Sequence, residues 1–170
     1  PEGLFATCSK ATHFTGTFTD CTALESLPKG LLAACGELKY VERMFLGCTS
    51  LKSLPEDLFV ACPKIEKFEE TFAECTALES IPQGLFSSIG TTTTSIVFSA
   101  CFYGCSALKS IPQGLFDTVR RISFIDYCFA ECKSLSGESP YITIDGDKVH
   151  LYERTQNDNF PRVPSTKSAH

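Results

Sequence analysis

Apolar positions along this chain recur with a long period. Phe18, Phe45, Phe72, Phe102 and Phe129 each open the string F-x-x-C-x-x-L, at spacings of 27, 27, 30 and 27 residues. Cys21, Cys48, Cys75, Cys105 and Cys132 keep the same step, as do Pro28, Pro55, Pro82 and Pro112 within LESLP, LKSLP, LESIP and LKSIP. A unit of this size cannot bury its apolar face alone, so the units must stack side by side. The period therefore predicts one elongated α/β array, a right-handed solenoid of short parallel strands and short helical turns.

Within one unit, 24–50, the two halves echo each other as apolar-x-x-apolar, a bulky residue, then x-x-Cys. Leu24 and Leu27 read as a short buried strand. Pro28, with its fixed φ, suits a first helical position, followed by a helical turn or two burying Leu31, Leu32 and Cys35. Leu38 and Val41 read as a second short strand, and Phe45 with Cys48 as a tight bend. Phe45, Phe72, Phe102 and Phe129 then form one internal column. Ser26, Ser53, Ser80 and Ser110, and separately Thr22, Thr49, Thr76 and Ser106, are polar columns whose hydroxyls are expected to satisfy turn carbonyls between coils. The 30-residue unit carries an insertion at Thr91–Thr94, expected as a surface loop.

Periodicity stops after Leu135. SPYITIDGDKVHLYER alternates apolar and polar residues around Asp145-Gly146, the pattern of a C-terminal β-hairpin. This divides the chain into a repeat array at 1–136, a hairpin cap or array interruption at 137–155, and a polar, proline-bearing tail at 156–170. Asp145 and Asp147 belong to the turn, because a calcium loop of the EF-hand kind needs more oxygen ligands and a distal Glu. The chain opens at Pro1 with PEGLFATC, which matches the middle of a unit, as expected of a processed or excised chain.

Composition narrows the function classes. Among 170 residues, 43% are hydrophobic and 21% charged, ordinary for a folded chain. No apolar run approaches the ~20 residues of a membrane helix. A net charge of −5 and the lack of a basic stripe oppose nucleic-acid binding. All ten cysteines fall on repeat columns, without paired C-x-x-C zinc spacing. In-register neighbours ~4.8 Å apart exceed the ~3.8 Å between Cβ atoms of a relaxed disulfide, so the columns read as buried free thiols. His13, His150 and His170 join no motif, and no Ser-His-Asp set, phosphate loop or metal triad assembles. No cofactor, no metal and no catalytic centre is expected.

The strings I-P-Q-G-L-F at 81–86 and 111–116, joined to F-x-x-C-x-x-L, resemble the BspA-like leucine-rich repeat proteins of Bacteroides-type bacteria. The resemblance covers residues 1–136. It implies a leucine-rich-repeat solenoid that is secreted or attached to the bacterial cell surface, an adhesin whose partner is a protein or glycan on a host or bacterial surface. A structural spacer within a larger surface protein is the alternative, and an enzyme the least favoured reading. Function must sit on columns that vary. One holds Thr15, Glu42, Glu69, Ser99 and Asp126; beside it lie Arg43, Glu70 and Tyr127; another holds His13, Tyr40, Lys67 and Phe124. Tyr40, Glu42, Arg43, Lys67, Glu69, Glu70, Phe124, Asp126 and Tyr127 are the candidate binding residues, since aromatics beside charges are what interfaces favour.

Overall fold

The computed structural model describes residues 3–90 and 95–136, together with the backbone of two strands at 141–144 and 147–150. Its organising feature is a backbone ladder that runs from each unit to the next. The amides of Phe18, Phe45, Phe72 and Phe102 donate to the carbonyls of Met44, Thr71, Cys101 and Cys128 at 2.8, 2.9, 2.8 and 2.8 Å. Two residues earlier, Gly16, Arg43, Glu70 and Ala100 donate in the same manner to Glu42, Glu69, Ser99 and Asp126. The amides in between turn inward on their own unit: Met44 donates to Val41 (3.1 Å), Leu46 to Arg43 (3.2 Å) and Cys48 to Phe45 (3.2 Å).

This alternation explains a difference from expectation. An α-helical turn needs N–H(i) to reach C=O(i−4) at successive residues, yet in this half of the unit every second N–H is already committed to the neighbouring unit. Among the described residues no helix forms. The segments after Pro55, Pro82 and Pro112 are likewise runs of three-residue turns, with Leu58, Leu85 and Leu115 donating to the prolines' carbonyls at 3.2, 3.1 and 3.3 Å. Proline opens a turn there instead of a helix.

Parallel pairing is confined to the second half of each unit. β1 (Ile96–Val97) pairs with β2 (Ile122–Phe124) in parallel, Ile96 opposite Ile122 and Val97 opposite Phe124, with a register shift between the two positions. Single parallel bridges join His13 to Tyr40, Tyr40 to Lys67, and Lys67 to Val97. The strand expected at Leu24 and Leu27 is absent. That half of the unit carries one such bond per junction, as when Lys52 N–H donates to Glu25 at 3.2 Å. β3 (Tyr141–Ile144) and β4 (Asp147–His150) pair antiparallel, with Tyr141 opposite His150 and Ile144 opposite Asp147, as the alternation around Asp145-Gly146 predicts. The Thr91–Thr94 insertion, the Asp145-Gly146 turn itself and the 156–170 tail lie outside the described residues.

The core follows the period. Phe18, Phe45, Phe72, Phe102 and Phe129 stack in one column with centroid separations of 5.3, 5.5, 5.3 and 5.5 Å and nearly parallel rings. A second wall, Phe59, Phe86 and Phe116, meets Phe68 and Phe98 edge to face at 4.9–5.1 Å, a favoured aromatic geometry.

All ten cysteines are free thiols, and eight are buried. They act as more than small apolar fillers. Cys48, Cys75, Cys105 and Cys132 donate S–H to the carbonyls of Phe18, Phe45, Phe72 and Phe102 at 3.2, 3.2, 3.2 and 3.1 Å. Each of those carbonyls also accepts an amide from its own unit, so both its lone pairs are answered. Where the other cysteine column ends, Ser88 and Thr118 take over, donating to Phe59 and Phe86. The Thr76 and Ser106 hydroxyls do reach the carbonyls of Thr49 and Thr76 across units, both at 3.4 Å. Ser26, Ser53, Ser80 and Ser110, expected to satisfy turn carbonyls between coils, are exposed.

Two outcomes follow from this packing. Phe72 is fully buried between Phe45 and Phe102, so Phe72→Ala should lower unfolding free energy by about 3–5 kcal/mol in chemical denaturation; a loss under about 1 kcal/mol would contradict the stacked column. Burial also raises the Cys48 thiol to about 11 and the Cys62 and Cys75 thiols to about 12, and pushes up Cys101, Cys105 and Cys128. A raised folded pKa means that the neutral thiol's contribution is complete below the unfolded value of 9.0 and is lost as pH climbs toward 11–12. The denaturation midpoint should therefore fall once pH exceeds 9.0, with the thiolate absorbance of the eight buried cysteines appearing together with unfolding. Absorbance from more than the two accessible thiols, Cys8 and Cys21, in the folded protein would count against burial.

Candidate binding face

The five segments 13–20, 40–47, 67–74, 97–104 and 124–131 lie side by side through the ladder; from residue 40 onward they bury their second, fifth and sixth residues and carry the candidate columns on the outer side. They carry seven carboxylates (Asp20, Glu42, Glu69, Glu70, Glu74, Asp126, Glu131) against two cations (Arg43, Lys67). The face is therefore acidic.

The sequence-predicted residues come together here in columns. His13 and Tyr40 pack ring to ring at 4.5 Å, and Lys67 Nζ sits 5.9 Å from the Tyr40 centroid, within cation–π range. Phe124, at the end of that column, is 58% exposed. Glu42, Glu69 and Asp126 share the next column, each half-buried, and Glu42 accepts a bond from Thr15 Oγ1 at 3.3 Å. Arg43 and Glu70 bind each other, with Nε to Oε2 at 2.7 Å and Nη2 to Oε1 at 3.4 Å. That hydrogen bond, then the Glu70 charge, raises the Arg43 pKa. Tyr127, next in their column, is 50% exposed.

Charge order continues outside this face. Along Glu25, Lys52, Glu79 and Lys109 the sign alternates from unit to unit, with Lys52 3.5 Å from Glu25 and Lys109 bonded to Glu79. The Lys109 hydrogen bond, then its charge, lowers the Glu79 pKa. Lys64 and Glu37 pair at 2.6 Å. Exposed pairs of this kind contribute little each; like charges in these columns would face one another at every junction.

One column was missed in the sequence. Asp20, Gly47, Glu74, Gly104 and Glu131 all have positive φ, between 57° and 71°. So do Gly16, Arg43, Glu70, Ala100 and Tyr127, between 53° and 67°. Both columns stand at the third position of a turn, where glycine is the unstrained choice. In the first, carboxylates alternate with glycine. A Cβ at Gly104 would lie 2.7 Å from the Glu74 carboxyl, and one at Gly47 would collide with Asp20. Asp20 and Glu74 thus each lie over the glycine of the next unit. The signal was legible as the residue before each F-x-x-C cysteine: Asp, Gly, Glu, Gly, Glu.

Among the described residues no three potential metal ligands cluster, and no helix is long and apolar enough to cross a membrane. No protein-family model and no curated protein matches the chain. Among solved structures it is similar to a leucine-rich repeat protein from Bacteroides ovatus, at 21% identity over 75% of this chain and 42% of that one, with a TM-score of 0.30. It is also similar to the T. pallidum leucine-rich repeat protein, at 18% identity over 74% of this chain and 72% of that one, again with a TM-score of 0.30. These weak structural neighbours are leucine-rich repeat proteins, and this chain spans less than half the length of the first.

Proposed function

We propose that this chain is a non-catalytic binding protein, a right-handed leucine-rich-repeat solenoid of the BspA-like kind that works as an adhesin, secreted or on a bacterial cell surface, with a protein or glycan ligand on a host or another bacterium. One observation carries the binding reading. The laddered face sets the exposed aromatics Phe124 and Tyr127 in the columns on either side of half-buried Glu42, Glu69 and Asp126, and the in-register step presents them as a continuous surface across units. Interfaces favour aromatics with polar groups around them. The surface localisation rests on the repeat-motif resemblance. The spacer reading draws on the unit-to-unit ion pairs, which give several exposed charges a structural partner inside the chain.

The test is a screen of the chain against a glycan array and immobilised extracellular-matrix proteins, followed by the combined Glu42→Ala, Glu69→Ala, Asp126→Ala variant. Binding spread over units predicts that the triple variant loses affinity about tenfold or more, while each single change costs little and stability stays nearly unchanged, because surface charges contribute little to folding. A partner held with undiminished affinity by the triple variant would show that this acidic column is only solvated surface.

A further inference from the structure

The acidic face contains a shallow depression that the columns above do not account for. It is lined by apolar Leu46, Ala73 and Ala100, by Tyr103 and Tyr127, and by the acids Glu70 and Glu74. Ala73 is buried, Tyr103 half-buried and Tyr127 50% exposed. The two acids differ. Glu70 holds the Arg43 guanidinium through two hydrogen bonds. The Glu74 carboxyl lies over Gly104, next to Tyr103 in the chain, and among the described residues no cation stands within ion-pair distance of it.

We propose that this depression receives an arginine side chain from a partner polypeptide, seated against the Tyr103 and Tyr127 rings with its guanidinium on Glu74. The inference rests on the binding-protein reading and names the chemistry of the partner. Charge complementarity selects a cation: the face carries seven carboxylates and two cations. The aromatic lining selects a cation that tolerates an apolar wall. A guanidinium is planar, weakly hydrated, stacks on aromatic rings and forks onto a carboxylate, whereas an ammonium is a strongly hydrated point charge. The protein already uses this chemistry once, where Arg43 forks onto Glu70 at the edge of the same depression. Glycine at position 104 is part of the arrangement, because any larger residue there would displace the Glu74 carboxyl.

The test uses the 170-residue chain with its tyrosine ring resonances assigned, titrated with three capped pentapeptides. One carries a central arginine between serines and glycines; the second carries citrulline, its neutral isostere, in that place; the third carries lysine. The arginine peptide should shift the Tyr103 and Tyr127 rings and saturate, with the lysine peptide about threefold or more weaker and the citrulline peptide without a saturable shift. Glu74→Gln and Tyr127→Leu, both at exposed positions, should each weaken the arginine peptide about fivefold or more while leaving thermal unfolding and the Arg43–Glu70 pair intact. Equal shifts from arginine and citrulline, equal affinity for arginine and lysine, or an unchanged affinity in Glu74→Gln would overturn the proposal. The two readings separate in this design. If a partner found by screening depends on the Glu42, Glu69, Asp126 column while the arginine peptide leaves both rings unmoved, this inference fails and the binding reading stands. If the arginine peptide binds as described while the triple variant holds its screened partner with undiminished affinity, the inference stands and the Glu42, Glu69, Asp126 column is solvated surface.

Discussion

The hydrogen bond that passes from each repeat unit to the next at alternate residues is the constraint on which the rest depends. Phe45 N–H to Thr71 O fixes the separation of two units, and Arg43 N–H to Glu69 O fixes their register. With alternate amides committed outward, the remaining ones close three-residue turns. A run of such turns places Arg43 and Gly47, and their equivalents, in left-handed conformation. The Phe column then stacks because the backbone step brings identical side chains over one another. The carbonyls of Phe18, Phe45, Phe72 and Phe102 each keep a second lone pair, and the cysteine of the following unit answers it. A thiol suits this place: it packs like a small apolar side chain and still carries a weak donor.

The same step governs the surface. Any side chain is set against its equivalent in the units before and after, so exposed columns must be self-compatible. Three solutions appear in this chain. Opposite charges alternate along Glu25, Lys52, Glu79 and Lys109. Acids alternate with glycine along Asp20, Gly47, Glu74, Gly104 and Glu131. Aromatic and cationic groups stack along His13, Tyr40 and Lys67. The acids of the second column thereby stay two units apart, leaving Glu74 without an ion-pair partner among the described residues and beside Tyr103 and Tyr127. The binding reading grows out of that arrangement: the step that stabilises the core also spreads unlike groups into a patterned face.

Much of this was legible in the sequence. Columns that recur without change, such as Phe45 and Cys48, mark the core, because repetition reports the step directly. The hairpin at 141–150 was readable from alternation around Asp-Gly. The helical turns were not, since the apolar spacing of Leu31, Leu32 and Cys35 fits a helix and a run of β-turns equally well, and only the destination of each amide separates them. The Leu24–Leu27 strand failed for a related reason: apolar spacing reports burial, while strand pairing needs successive backbone bonds, and that edge makes one per junction. The serines beside those leucines point outward at the same place. At the candidate site, Glu42, Glu69 and Asp126 were found as variable positions, whereas Tyr103 and Glu74 were not, because what joins them is the left-handed turn and its glycine alternation.

The ladder itself can be observed in solution through scalar couplings across hydrogen bonds, measured on isotope-labelled protein between amide nitrogens and carbonyl carbons. The account predicts couplings from the Phe45, Phe72 and Phe102 amides to the carbonyls of Thr71, Cys101 and Cys128, each in the next repeat unit. Couplings from those amides to carbonyls four residues earlier in their own unit would show helical turns in place of the ladder and would contradict it.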